Sequence, residues 1–102
     1  VHEDLQSVKP VTYSIIKHGL NGLTKYIATY WADKNVRCNS ICPGGVFNHQ
    51  PTDFLDKVSE LIPLGRMAEK EEMNGMIVYL LSNASSYVNG TIINIDGGRT
   101  AW

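Results

Sequence analysis

Two short apolar runs, 36–42 and 91–95, each close on a glycine pair: Pro43-Gly44-Gly45 after the first and Asp96-Gly97-Gly98 after the second. Short runs of this kind, partly β-branched and stopped by Pro or Gly, read as buried strands. Segments with helical spacing precede each of them. The order helix, strand, helix, strand builds an α/β layer with parallel strands. Two strands are too few to stand alone, because a parallel sheet is covered on both faces and is normally larger. The pattern therefore predicts the end of a doubly wound sheet whose beginning is absent.

From Val11 to Lys34 the apolar positions Ile16, Leu20, Leu23, Ile27 and Tyr30/Trp31 recur every three to four residues. This spacing predicts one long amphipathic helix with that stripe facing the core. Gly19 and Gly22 each cost such a helix about 1 kcal/mol relative to Ala, which implies close packing against another helix or subunit. Residues 1–9 lack a period and read as a loop before Pro10. The 47–66 segment carries Pro51 and Pro63 around one possible helix, Thr52 to Leu61, with Thr52 as its N-cap. It is a candidate mobile lid. A second helix is expected over about 69–82, begun by acidic residues that suit a helix N-terminus. The whole of 1–102 is read as part of a single domain.

Hydrophobic residues at 43% and charged residues at 19% are the balance of a globular chain. The formal net charge of −1, with scattered Lys and Arg, offers no basic stripe for a phosphate backbone. Nucleic acid is not an expected partner. The longest apolar stretch, Met76 to Leu81, is far too short to span a bilayer, so no membrane partner is expected either. Cys38 and Cys42, four residues apart on one strand, would lie about 13 Å apart at roughly 3.3 Å per residue, too far for a disulfide. Two reduced cysteines in a cytoplasmic protein are expected. His2, His18 and His49 are not spaced to complete a metal site with them, so no metal is expected.

Tyr13 and Lys17 lie four positions apart on the long helix and so project from one face. A cation beside a phenol favours the phenolate and brings the hydroxyl into use as a proton donor or acceptor. Such a pair serves a carbonyl/alcohol interconversion. Taken alone, Tyr-x-x-x-Lys more often marks an ordinary exposed helix face.

The surrounding residues supply the context. Tyr13-Ser-Ile-Ile-Lys17 with His-Gly-Leu-Asn-Gly-Leu after it resembles the active-site helix of the classical short-chain dehydrogenase/reductases. Val36-Arg-Cys-Asn-Ser-Ile-Cys-Pro-Gly resembles the strand and turn that follow. Leu64-Gly-Arg-Met-Ala, Tyr79-Leu-Leu-Ser82 and Gly90-Thr-Ile-Ile-Asn-Ile-Asp-Gly-Gly98 resemble that family's last helix and terminal strand. The resemblance runs over most of the chain. It implies the C-terminal part of a Rossmann-type sheet and an NAD- or NADP-dependent oxidoreductase acting on a small alcohol or ketone. It also implies a homo-oligomer, a tetramer in the parent protein, built through the long helix and the last helix and strand.

Residue by residue, the resemblance makes Tyr13 the acid/base and Lys17 the group that holds the nicotinamide ribose and assists the tyrosine. Pro43 and Gly44 would shape the loop against the nicotinamide, and the Val46 backbone would meet its carboxamide. Gly44 would let the chain approach the cofactor closely. Asn48 stands where the family has Thr, with a different geometry toward a phosphate. Phe47, His49, Phe54 and Leu55 would line the substrate pocket from the lid. Asp96-Gly97-Gly98 is read as structural.

The glycine-rich turn that seats a pyrophosphate is not in these 102 residues, and neither is the family's Asn-Ala-Gly motif. The catalytic serine is expected before Val1, since Ser7 is too close to Tyr13. The chain alone is therefore expected to be inactive. Two other readings stand beside this one: a non-catalytic, self-associating fragment of such an enzyme, and a relative of the sugar-nucleotide epimerases. The short tail after Asp96-Gly97-Gly98 counts against the epimerase.

Overall fold

The structure, a computed structural model, describes residues 11–102. The loop expected over residues 1–9 lies outside the described residues. In chain order the elements are helix α1 (Val11–Tyr30), strand β1 (Ser40–Pro43), helix α2 (Thr52–Glu60), helix α3 (Asn74–Leu81) and strand β2 (Ile92–Ile95). Short 3-10 turns occupy Ala32–Lys34, Lys70–Met73, Asn83–Ser85 and Arg99–Ala101. Two compact units emerge, one of residues 11–40 with Asn89–Thr91, the other of Ile41–Val88 with Ile92–Trp102. No helix among the described residues is long and apolar enough to cross a membrane.

In the first unit, α1 buries Thr24 and Ala28, one turn apart, instead of the expected apolar stripe. Ile16, Leu20 and Leu23 are 62%, 55% and 50% exposed, and Trp31 is also exposed. The reason is closeness of approach. The Ala28 carbonyl accepts a bond from Asn89 Nδ2 at 2.9 Å, and the hydroxyls of Thr24 and Ser40 are hydrogen-bonded. A Cβ on Gly90 would stand 3.4 Å from that of Ala28. Only small side chains let a helix backbone come so near a neighbouring segment. Gly19 and Gly22 have open space where a side chain would go, so no described residue packs against them.

The helix also ends earlier than its periodicity implies, at Tyr30 rather than Lys34. The chain tightens into a 3-10 turn that Asn35 closes at φ 59, donating its N–H to the Ala32 carbonyl at 3.3 Å. Asparagine tolerates this left-handed conformation better than most residues and so works as a helix stop.

The first strand starts at Ser40, not Val36. Before it, asparagine side chains take over the pairing that a ladder would supply. Asn89 Oδ1 accepts the Cys38 N–H and Asn39 Oδ1 accepts the Thr91 N–H, both at 3.0 Å. Cys38 therefore lies outside β1 and Cys42 within it; both are free and half-buried. The same bond to Thr91 delays β2 to Ile92.

The bonds Ser40 N–H to Thr91 O (2.9 Å) and Gly44 N–H to Ile95 O (2.8 Å) share one residue offset, which makes β1 and β2 parallel. In the second unit a parallel bridge pairs Val46 with Ala68. Ile62 and Met73 are buried there. Helix α2 begins after Pro51, whose φ −57 and ψ 146 make it the N-cap, so Thr52 is the first helical residue and makes no side-chain cap. Proline's fixed φ already suits that half-in position. The expected second helix is split: Lys70–Met73 is a 3-10 turn and α3 starts at Asn74.

Candidate active site

Helix α1 carries Tyr13 and Lys17. Tyr13 is 47% exposed, and Lys17 Nζ lies 5.7 Å from the centre of its ring. The four-residue spacing places the ammonium against the phenol on an exposed helix face. His18 is turned to its own helix, with Nδ1 bonded to the Ser14 carbonyl at 2.8 Å, and takes no part in the pair.

The second unit carries the loop after β1. The Gly45 carbonyl accepts from Ala68 N–H at 2.9 Å, and Phe47 N–H donates to the Ala68 carbonyl at 2.7 Å. A parallel bridge of this form turns the N–H and C=O of Val46 to the side away from Ala68. The Val46 carbonyl accepts from Gln50 Nε2 at 3.2 Å. Gln50 Oε1 accepts from Asn48 N–H at 2.7 Å, so that donor is already committed within the loop. Gln50 is a loop-organising residue that sequence reasoning missed. Its only signal was a long amide just before Pro51 and four residues after Val46.

Of the expected lid residues, Phe47 and His49 meet edge to face with ring centroids 5.0 Å apart, and His49 sits at φ 56. Phe54 is exposed and Leu55 half-buried on α2. The structure brings Phe47 and His49 together at the loop and places Phe54 and Leu55 on the following helix.

Glycine at position 44 has a reason within the fold. A Cβ there would lie 2.8 Å from Asp96 Cβ and 2.9 Å from Asp96 Cα. An internal close approach requires the missing side chain. Asp96 in turn closes its own turn. Its carboxylate accepts from Gly98 N–H at 3.0 Å, Thr100 Oγ1 at 2.6 Å and Thr100 N–H at 3.3 Å. The Thr100 hydroxyl chiefly, with those N–H groups, holds the carboxyl below its usual range.

A cleft of about 130 Å³ lies between the loop and this turn, lined by Gly45, Ile62, Arg66, Glu72, Met73 and Asp96 among others. Its charges are satisfied internally. Arg66 clamps Glu72 through two bonds, 2.6 and 3.1 Å, while Glu72 Oε1 also accepts the Glu69 N–H at 3.0 Å. The Arg66 bond first, then the Glu69 N–H, pulls the Glu72 carboxyl down to about 2. A depressed carboxyl stabilises the fold above its unfolded pKa, and that contribution is lost as pH falls toward the folded value. The melting temperature of Glu72→Gln should therefore fall below that of the unsubstituted protein at neutral pH. The gap should close as pH approaches about 2, and a gap independent of pH would contradict this account. Both side chains are about half exposed, so added salt should also narrow it.

A family profile described as enoyl-(acyl carrier protein) reductase matches residues 4–100. A short-chain dehydrogenase from Leptospira borgpetersenii, solved with bound NAD+, is 41% identical with a TM-score of 0.83, over 86% of this chain and 35% of that one. The chain belongs to the short-chain dehydrogenase/reductase family. An Agrobacterium tumefaciens dehydrogenase of this family's fold, solved with bound NADP, is 39% identical with a TM-score of 0.79 over 88% of this chain and 39% of that one. Cyclohexanol dehydrogenase of Acinetobacter sp. is 37% identical over 87% of this chain and 36% of that protein. The chain thus spans little more than a third of the length of these relatives. The family's fold is the Rossmann-type α/β sheet, of which this chain covers part with parallel strands β1 and β2.

Proposed function

We propose that this chain is the C-terminal portion of one Rossmann-type domain in an NAD- or NADP-dependent oxidoreductase that interconverts a hydroxyl and a carbonyl group. The observation that carries this reading is the Tyr13–Lys17 pair on one exposed helix face in a chain of this family. Tyr13 gives its proton to the carbonyl oxygen in reduction and takes the hydroxyl proton in oxidation. Lys17 binds the nicotinamide ribose through its ammonium. A bound nicotinamide supplies or accepts the hydride.

The residues present suit the nicotinamide end of such a cofactor. Pro43 ends β1 and Gly44 opens the loop after it, and the Val46 N–H, turned away from Ala68, would meet a carboxamide. The loop is a poor pyrophosphate cradle, since the Asn48 N–H is held by Gln50 and only the Asn48 side chain is left to reach a phosphate. Phe47, His49, Phe54 and Leu55 give the substrate an aromatic and apolar surround. The chain alone is inactive in this reading, because the phosphate cradle and catalytic serine belong to residues outside these 102.

The substrate class is a small alcohol or ketone, as the name of the Acinetobacter relative implies for that enzyme. The exposed Ile16, Leu20 and Leu23 favour a homo-oligomer, tetrameric in the full protein. Free Cys38 and Cys42 accord with a cytoplasmic location. The test is turnover of the full-length protein on a panel of secondary alcohols and ketones, cyclohexanol included, with each cofactor. Formation or loss of reduced nicotinamide with at least one pair is expected. No turnover with any pair would refute the oxidoreductase reading.

A further inference from the structure

We infer that Asp96 is a positioning residue for the nicotinamide-side loop, holding Pro43-Gly44-Gly45 and the base of the lid in one fixed arrangement. The inference rests on the proposed oxidoreductase reading for what the loop does, but its geometry is independent of that reading. On one side, the Asp96 backbone and Cβ fill the space that a side chain on Gly44 would need, at 2.8–2.9 Å, and Gly44 N–H donates to the preceding carbonyl of Ile95. This packing and the hydrogen bond tie the loop to the turn. On the other side, a Cβ on Gly97 would meet Ile62 Cγ2 at 2.7 Å, and one on Gly98 would meet Pro63 Cγ at 3.0 Å. Leu64 N–H also donates to the Gly97 carbonyl at 3.1 Å.

Gly97 and Gly98 hold φ of 65 and 94, a conformation other residues resist. The Asp96 carboxylate fixes that conformation through its three bonds to Gly98 and Thr100. One carboxylate thus sets a turn that is wedged between the loop and the lid base. Neither glycine could be replaced without displacing Ile62 or Pro63, so packing alone accounts for both glycines of this turn. Asp96 acts through Gly44, not on the reacting atoms.

The test compares two ligands in the full-length protein: reduced cofactor, NADH or NADPH, and ADP-ribose or its 2′-phosphate, which lack the nicotinamide. Asp96→Ala should weaken reduced-cofactor binding about tenfold, the size expected for losing a charge-assisted hydrogen-bond set. ADP-ribose affinity should stay the same. Thr100→Val, which removes only the 2.6 Å hydroxyl bond, should weaken the cofactor about threefold with the same selectivity, and it decides the matter if Asp96→Ala does not fold. Equal weakening of both ligands, or of neither, would overturn the inference by leaving Asp96 a general stabiliser. Failure of the unsubstituted protein to bind any dinucleotide would overturn the oxidoreductase reading and this inference with it.

Discussion

Replacing Tyr13 by Phe in the full-length protein is expected to lower turnover by about 10²–10⁴-fold while leaving cofactor binding nearly unchanged. The substitution removes one oxygen and keeps the ring against which Lys17 Nζ lies at 5.7 Å. The buried contacts of helix α1 come from Thr24 and Ala28 further along. A folding defect is therefore not the expected cause of lost rate. Steady-state kinetics with a saturating cofactor, set beside a cofactor titration, separates the two effects. Retention of most of the turnover would remove Tyr13 from the chemistry and leave the pair an ordinary exposed helix face.

Gly44→Ala is expected to destabilise the protein by about 1–3 kcal/mol, the range for forcing extra atoms into a packed site. The new methyl would fall 2.9 Å from the Cα of Asp96, a backbone atom that cannot swing aside as a side-chain tip could. Either β1 and the turn after β2 separate, breaking the 2.8 Å bond from Gly44 N–H to Ile95 O, or the loop rotates. Gly75 provides the control, because open space surrounds it within α3 and alanine there favours the helix. Chemical denaturation of the two variants should move in opposite directions. Equal stability of Gly44→Ala and the unsubstituted protein would mean that the close approach to Asp96 is not maintained.

The order of elements was legible because it rests on period and punctuation: a long 3.6-residue repeat, two β-branched runs, and glycine pairs after each. The limits of those elements were not, because they depend on single side chains acting at a distance in sequence. Nothing local in Val36–Asn39 shows that Asn89 and Asn39 will take over the pairing there, although asparagine in a strand-like run is itself a warning. The buried face of α1 was misread for a related reason. Hydrophobic spacing finds the most apolar stripe, whereas the contact with residues 89–91 selects the smallest side chains, Thr24 and Ala28. The apolar stripe stays exposed among the described residues, as does the space around Gly19 and Gly22.

In the candidate site, the residue types of Tyr13 and Lys17 carry their chemistry on their face, and a four-residue spacing on a helix suffices to juxtapose them. Gly44 was legible as a special position, but its close packing against Asp96 was not, since Asp96 lies far along the chain. Gln50 left almost no trace, because one long amide bridging Val46 and Asn48 looks like any polar loop residue.

The most direct test of the central claim, that these residues supply proton transfer and the nicotinamide side but no phosphate cradle, is a titration of the 102-residue chain with NADH and NADPH. Fluorescence would report binding, and sedimentation on the same samples would report self-association through the exposed α1 face. The expected result is no saturable binding of either cofactor, with concentration-dependent association. Saturable binding that disappears in Lys17→Ala would contradict the account, because the cofactor would then be held without the absent glycine-rich turn.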